Sequence, residues 1–240
     1  MKNFDGISEE GIFLLARNKF ENNKEFYDQN KAAIKKLVMD PTKQLASIIG
    51  EDMFKYDAQM ELDPNKMVSR IRRDTRFSKN KDLYRDNVWI MFMRNKNFDS
   101  FVPCFWFEFF QDRYNCGVTF FDSNARVFEI YRQMILEYPS VFRRAVKSCL
   151  SAGCIVSGNP YKKPREKTDE VPADLRKYYN TKNLTFMKTC FDISDLKDDS
   201  FIDGLKLTYK KMNPYYQFLL KVYETYKLER SEFSHEQRKP

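Results

Sequence analysis

The spacing of apolar residues changes twice along the chain, from every third or fourth position to every second position and back. Near the N-terminus, Ile12 and Leu15 follow Ser8 at helical spacing, and a second helical run covers residues 26–38. Ser8 is a suitable N-cap because its hydroxyl can accept a hydrogen bond from the first helical turn. Pro41 either begins a new helix or bends the long one. The first third of the chain is therefore predicted to be helical.

The middle of the chain, residues 54–121, alternates apolar and polar positions with the period of two that is typical of strands. Residues 67–77 are predicted to form one such strand. One face would carry Met67, Ser69, Ile71, Arg73, Thr75 and Phe77. The other face would carry Arg70, Arg72, Asp74 and Arg76. Further strands are predicted at residues 88–93, 104–110 and 116–121, the last two joined by a hairpin at Asp112 and Arg113.

Helical spacing returns in the second half of the chain. Helices are predicted at residues 124–137 and 139–147, a short strand at 154–157, a long exposed loop around Pro164 and Pro172, and a strand at 184–193. The final helix should run from about Ser200 to Leu228, interrupted or restarted at Pro214. We predict an α+β fold, with a predominantly antiparallel sheet from the middle of the chain and N- and C-terminal helices packed on it. Residues 1–228 are predicted as a single α+β domain and residues 229–240 as a frayed C-terminal tail.

The composition excludes several common chemistries. His235 is the only histidine among 240 residues and lies in the predicted tail, so histidine-assisted catalysis and histidine-bound metals are not expected. No glycine-rich nucleotide-binding motif is present. Asp192, Asp195, Asp198 and Asp199 lack the spacing of a calcium loop and precede a predicted helix, whose dipole favours acids there. We predict no bound metal and no cofactor.

The sequence has the features of a cytoplasmic protein. Its five cysteines are scattered and form no Cys-x-x-Cys pair, which favours reduced, mostly buried thiols. The N-terminus lacks the basic head and apolar run of a signal peptide, and no apolar run is long enough to cross a bilayer. We therefore expect a cytoplasmic protein with no membrane partner.

Positive charge is concentrated in two segments. The formal net charge is +8; residues 66–85 hold eight basic and two acidic residues, and residues 157–190 hold eight and four. Two focused basic regions favour a local anionic partner over a uniform nucleic-acid coat. Uneven surface charge without any partner is the alternative interpretation.

The first basic segment carries most of the candidate ligand groups. In a strand, Arg70, Arg72 and Arg76 would have to be solvated or line a polar cleft, because unpaired buried charge is unfavourable. Asp74 could orient one arginine and leave another free for a carboxylate or phosphate. A purely structural network of ion pairs is the alternative. The predicted ligand-binding residues are Arg73, Arg76, Ser78, Lys79, Lys81, Tyr84, Tyr161 and Lys162, with Asp74 as the acid-base candidate of an enzyme.

The same segment also carries a family resemblance. Arg73-Asp74-Thr75-Arg76-Phe77-Ser78-Lys79-Asn80-Lys81, followed by Tyr84, resembles the signature of domain-of-unknown-function family 2461, a group of uncharacterised bacterial and fungal proteins. The family's usual form is not matched at Asn80, Asp82, Leu83 and Arg85. Residues 22–27, 158–163 and 214–219 resemble further family segments, so the resemblance covers nearly the whole chain. It implies a single-domain α+β fold and supplies no activity.

Three functions are compatible with these patterns. The leading hypothesis is a basic cleft that binds an anionic small molecule bearing a phosphate or carboxylate, with or without catalysis. Since residues 161–165 fall at another family segment, the two basic regions either converge on one site or the second is a solvated loop. The alternatives are a nucleic-acid-binding accessory module and a non-catalytic protein-interaction scaffold. A base-stacking surface needs exposed aromatics beside basic groups. The aromatic run at residues 105–110 contains Glu108 and no Arg or Lys, so it is predicted to be a buried strand.

Overall fold

The chain folds into two compact units, each built from several stretches of sequence. A computed structural model describes residues 4–95, 101–122 and 124–236, with side chains as far as Ser231. The first unit contains Met1–Phe92, Trp106–Cys116 and Thr189–Leu207, and the second contains Met93–Phe105, Gly117–Lys188 and Thr208–Pro240. The single domain over residues 1–228 stays a prediction.

Helices and strands alternate in blocks along the described residues. The helices are α1 (Glu9–Glu21), α2 (Lys24–Ile34), α3 (Asp40–Met53), α4 (Pro64–Met67), α5 (Ala125–Glu137), α6 (Pro139–Ser151), α7 (Arg176–Tyr179) and α8 (Ser200–Glu236). The strands are β1 (Val88–Met93), β2 (Pro103–Phe109), β3 (Tyr114–Phe120), β4 (Ile155–Pro160) and β5 (Thr181–Cys190). A π-helical turn joins α2 to α3 at Lys35–Met39, and 3-10 turns lie at Thr168–Glu170 and Ile193–Lys197.

The five strands form one antiparallel sheet in the order β1-β2-β3-β5-β4. Strand β4 pairs with β5, and their register shifts between Ser157 and Asn159. The predicted hairpin is confirmed, because β2 and β3 are neighbours and the Phe110 N–H donates to the Arg113 carbonyl at 2.8 Å. With the sheet in the middle of the chain and helices at both ends, the α+β fold class is also confirmed.

The helices of the first unit begin where the polar residues predict. The Ser8 hydroxyl accepts a hydrogen bond from the Gly11 N–H at 3.1 Å and starts α1. Pro41 lies in the first turn of α3, where a missing N–H leaves no hydrogen bond unmade. A Cβ at position 11 would lie only 2.8 Å from the Cβ of Leu37. Glycine at this position therefore allows α1 to pack closely against the turn that follows α2.

Aromatic rings dominate the core of the second unit. The ring of Phe142 is fully buried, and its centroid lies 5.8 Å from that of Tyr131, 4.9 Å from Phe218 and 5.9 Å from Tyr178. The contacts with Tyr131 and Tyr178 are edge-to-face, an arrangement that adds about 0.5–1.5 kcal/mol beyond the area it buries. This cluster fixes one side of α5, the helix that contributes Tyr131.

The final helix differs from its prediction. Helix α8 runs without interruption from Ser200 to Glu236 and contains Pro214, whereas the sequence predicts a break there and an end near residue 228. A proline inside a helix removes one hydrogen bond and normally bends or ends it. Here Met212, Tyr215 and Leu219 are fully buried on either side of the proline. Packing of this apolar face outweighs the local preference, as tertiary contacts commonly do in helices.

All five cysteines are free thiols, and four of them are buried, as predicted. Burial raises the pKa of the Cys154 thiol to about 11, so this group stays protonated near neutral pH. Within the described ranges, no helix combines the length and the apolar character that a membrane span requires.

Candidate functional site

The basic segment is a loop that doubles back on itself, so the predicted strand at residues 67–77 is wrong. The only strand-like pairings recorded there are two isolated bridges, between Val68 and Ile90 and between Arg72 and Tyr84. We call residues 70–85 the basic loop. Ser69 and Ile71 are buried while Arg70 and Arg72 are exposed. Over residues 69–72 the alternation of buried and exposed side chains therefore follows the prediction, although the chain does not form a strand there.

Main-chain hydrogen bonds close the base of the basic loop. The Arg73 N–H donates to the Leu83 carbonyl at 2.8 Å, and the Arg85 N–H donates to the Ile71 carbonyl at 3.1 Å. The Leu83 N–H donates to the side-chain oxygen of Asn22 at 2.7 Å. Asn22 ends α1 in the left-handed conformation, with φ of 47°, which asparagine tolerates better than most residues. The end of α1 thus holds one side of the loop.

Tyr84 anchors this base. Its ring is 1% exposed and stacks on Tyr27 with a centroid separation of 4.9 Å. Burial raises the pKa of the Tyr84 phenol. Its role as a ligand hydroxyl stays a prediction, and its burial argues against that role.

Arg85 is the second anchor of the base. Its guanidinium lies over the Trp89 ring at 4.4 Å, and its Nε is buried with no hydrogen-bond partner. Burial lowers the pKa of Arg85, and the nearby charge of Arg73 lowers it further. The base of the loop therefore keeps a partly desolvated cation next to a second one.

At the tip of the loop, Asp74 and Arg76 neutralise each other. Arg76 Nε donates to Asp74 Oδ1 at 3.0 Å, and an Arg76 terminal nitrogen donates to Oδ2 at 2.7 Å. The hydrogen bonds from Arg76 hold the pKa of the Asp74 carboxyl below its usual range. A carboxylate that binds a proton less readily is a weaker general base. The acid-base role of Asp74 stays a prediction that this pairing does not favour.

The other predicted ligand groups of the loop mostly contact the loop itself. Arg73 donates to the Ser78 hydroxyl at 3.4 Å and lies 3.9 Å from an Asp82 carboxylate oxygen. Lys81 Nζ donates to the Thr75 carbonyl at 3.0 Å. These contacts describe a loop that satisfies many of its own charges. The ligand-binding roles of Arg73, Ser78 and Lys81 stay predictions.

Three cations and one aromatic ring of the loop point outward. Arg70, Arg72 and Lys79 are exposed, and none has a hydrogen bond or ion pair to another described residue. Phe77 is 96% exposed, so its assignment to the same face as buried Ile71 is wrong. The turn closed by the Ser78 N–H and the Thr75 carbonyl, at 3.3 Å, lifts the Phe77 ring away from that face.

In the second unit, Tyr161 is surrounded by positive charge. Its ring centroid lies 5.5 Å from the guanidinium carbon of Arg132, 4.9 Å from that of Arg165, and 4.9 Å from Lys182 Nζ. The negative face of an aromatic ring favours such neighbours. Lys162, the other predicted ligand group in this segment, is exposed and has no hydrogen bond or ion pair to a described residue.

Arg132 is the residue that the sequence analysis missed. It lies on α5, is only 7% exposed, and donates from Nη1 to the Tyr161 hydroxyl at 2.9 Å. No described carboxylate lies within 4.0 Å of it. One signal was present in the sequence, because Arg132 follows Phe128 by four positions and precedes Ile135 by three. Both neighbours are buried, so the arginine lies on the buried side of its helix.

Arg132 borders a cavity of about 620 Å³ in the second unit. Its walls come from α5, the loop around Thr168–Glu170 and Tyr179 of α7. The lining residues are Arg126, Glu129, Arg132, Gln133, Leu136, Glu137, Arg165, Glu166, Lys167, Glu170 and Tyr179. The volume is within the range of pockets that hold small molecules.

The charges of the cavity wall are only partly paired. Arg126 forms ion pairs with Glu129 at 3.2 Å and with Glu229 at 2.7 Å. No ion pair is recorded within the described residues for Arg132, Arg165 or Lys167. None is recorded there for the wall carboxylates Glu137, Glu166 and Glu170 either.

Tyr179 closes one side of the cavity beside Arg132. Its hydroxyl donates to the Glu166 carbonyl at 2.7 Å. Burial raises the pKa of the Tyr179 phenol, and the charge of Arg132 opposes that rise in part. Lys167 has φ of 61°, a left-handed backbone that is unusual for a lysine.

Metal ligands are not clustered in the part of the chain that the structure describes, where no three His, Cys, Asp or Glu side chains are placed to hold an ion. Asp192 and Asp198 instead accept hydrogen bonds from the backbone N–H groups of Ser194 and Ser200, at 3.0 and 2.8 Å. These two acids therefore cap local turns.

Comparisons with known proteins place the chain in a family. A search of the curated proteins finds no match. The family described as "Conserved hypothetical protein (DUF2461)" matches residues 12–218, which is most of the chain and includes both the basic loop and the Arg132 cavity. The chain therefore belongs to this family of conserved hypothetical proteins.

Proposed function

We propose that the cavity beside Arg132 binds a small molecule carrying a carboxylate or phosphate group. The supporting observation is an arginine, Arg132, that is 7% exposed, lies on the cavity wall and forms no ion pair with a described carboxylate. Removing a charge from water without pairing it is unfavourable. An anionic guest would supply the missing partner through a charge-assisted, bidentate contact.

The rest of the wall defines the kind of anion. Arg165 and Tyr161 place a second cation and an aromatic ring next to Arg132. Glu137, Glu166 and Glu170 add negative charge to the same wall. Like charges repel strongly in a partly desolvated site, so these carboxylates disfavour polyanions. A singly charged guest with hydrogen-bond donors suits the site better than a polyphosphate.

The cavity supports this function better than the basic loop does. In the loop, Arg76 is paired with Asp74, and Lys81 donates to a carbonyl of the loop. An anion that binds at Arg76 or Lys81 would have to compete with those internal partners. An anion that binds at Arg132 would compete only with the neutral Tyr161 hydroxyl, which accepts a hydrogen bond from it.

Thermal unfolding in the presence of inorganic phosphate and a panel of mono-, di- and tricarboxylates tests the proposal. At a ligand concentration of 100 times Kd, one site stabilises the folded protein by about 2.7 kcal/mol. Arg132→Gln should weaken the binding of the best ligand by about 30-fold or more, since it removes the charge that pairs with the anion.

Arg144→Gln is the matched control, because Arg144 is an exposed arginine outside the cavity wall. It should bind like the unmodified chain. Equal stabilisation of the Arg132→Gln variant, or no stabilisation by any member of the panel, would contradict the proposal.

A further inference from the structure

We infer that the basic loop is a contact surface for single-stranded nucleic acid, in which a base stacks on Phe77 and phosphates pair with the cations beside it. This inference is independent of the cavity and of its proposed ligand. It depends on three properties of the loop: an exposed ring, free positive charge and a fixed conformation.

The exposed ring is Phe77. It is 96% exposed at the tip of the loop, and one neighbour is the Arg76 guanidinium, 5.8 Å from its centroid. Asp74 fixes that guanidinium through two hydrogen bonds, so the arginine has a defined orientation beside the ring. Aromatic rings and arginine planes are the two surfaces on which proteins stack unpaired bases.

The free charge lies close to this ring in the chain. Residues 70–85 contain seven basic and two acidic side chains, for a net charge of +5. Both acids are engaged within the loop, Asp74 with Arg76 and Asp82 with the Asn80 amide at 3.0 Å. Arg70, Arg72 and Lys79 are exposed, and their side chains form no hydrogen bond or ion pair with a described residue. They are therefore available to phosphates.

Contacts within the protein fix the conformation of the basic loop before any nucleic acid binds. Buried Tyr84 and the hydrogen bonds of Arg73, Leu83 and Arg85 fix its base. The Lys81 ammonium bridges its two arms by donating to the Thr75 carbonyl. A preorganised surface loses less conformational freedom on binding, so more of the stacking and charge interaction appears as affinity.

The composition of the tip favours a single strand over other anionic partners. A duplex keeps its base faces stacked inside, so it offers no face to Phe77. An anionic bilayer would attract the cations, but stable attachment needs a wide apolar face or an acyl chain in addition to basic residues. Within residues 70–85, all of which the structure describes, Phe77 is the only large apolar side chain that is exposed.

Fluorescence anisotropy with a labelled single strand of about 20 nucleotides, as DNA and as RNA, tests the inference. Phe77→Ala should weaken binding by about 5- to 100-fold, since base–aromatic contacts contribute on this scale. In Arg72→Gln/Lys79→Gln, the salt dependence of log K should become shallower by about 0.7 for each phosphate that the variant no longer neutralises. Phe191→Ala is the control, because Phe191 is also a largely exposed phenylalanine of the first unit, at 75%.

Each result of the binding experiment either supports or overturns single-strand binding by the basic loop. Because the replaced side chains are exposed, the thermal midpoints of the variants should match that of the unmodified chain. Weaker binding in Phe77→Ala with unchanged binding in Phe191→Ala supports the inference. Equal affinity for the duplex overturns it, as does binding only to vesicles of anionic lipid. No binding, or unchanged binding in Phe77→Ala, also overturns it.

Discussion

The basic loop and the Arg132 cavity differ in how their cations are paired. In the loop, Arg76 meets a carboxylate and Lys81 meets a carbonyl, both on the surface and both from the same short segment. In the cavity, Arg132 is nearly buried and meets a tyrosine hydroxyl with no described acid beside it. The loop carries more charge, whereas the cavity has a nearly buried arginine on its wall.

The difference shows that the density of basic residues in a segment does not report how each of its cations is paired. An exposed ion pair contributes little because water already solvates both charges. A buried cation without an acid reduces stability, and proteins commonly keep such strain where a ligand relieves it. Three changes would break or sharpen this comparison.

The largest effect is expected at the base of the loop. Tyr84→Ala removes a buried ring that stacks on Tyr27, and it should lower the free energy of unfolding by about 3–5 kcal/mol. Phe77→Ala, at the exposed tip of the same loop, should change it by less than about 0.5 kcal/mol. Guanidinium chloride denaturation of both variants measures the contrast. Similar losses in the two would show that the loop is not anchored as described.

An intermediate effect is expected in the cavity. Tyr161→Phe keeps the ring but removes the hydroxyl that accepts from Arg132. Leaving a buried cation without this acceptor should lower the free energy of unfolding by about 1–3 kcal/mol. Arg132→Met in the same background should recover most of that loss, because it removes the charge that lacks a partner. A double-mutant cycle of Tyr161→Phe and Arg132→Met, measured by denaturant unfolding, gives the coupling free energy between the two side chains. Additive effects would contradict an interaction between them.

The smallest effect concerns the pH dependence of the ion pair at the loop tip. Its hydrogen bonds to Arg76 hold the pKa of the Asp74 carboxyl below its ordinary value. A lowered folded-state pKa stabilises the protein above the ordinary value of the unfolded chain. That contribution disappears as the pH falls through the folded-state pKa. Carbon-detected NMR should show Asp74 titrating at a lower pH than it does in Arg76→Gln. Identical titration curves would exclude the pairing in solution.

Much of the fold could be predicted because helix starts depend on local chemistry. Ser8 caps α1 and Asn124 caps α5, each through a hydrogen bond to a nearby N–H. Alternation of apolar and polar residues also gave the correct buried positions at Ser69 and Ile71. It gave the wrong element, because alternation reports which side chains face the interior and not whether the backbone has a partner strand.

The two features that carry the proposals were harder to predict, for opposite reasons. Arg132 was not among the candidate residues, and its burial depends on how α5 is oriented in the second unit. Phe77 was assigned to the same strand face as Ile71, and its exposure depends on a turn closed by the Thr75 carbonyl and the Ser78 N–H. Both outcomes are set by tertiary contacts that a pattern of residue types does not contain.

At Lys167, a change that would raise thermal stability would also remove a charge from the cavity. A left-handed conformation raises the energy of a residue with a Cβ by about 1–2 kcal/mol, and glycine avoids most of that penalty. Lys167→Gly should therefore raise the free energy of unfolding. The same change would remove an ammonium group from the rim of the cavity, so selection of variants for thermal stability alone would discard a cation of the proposed binding site.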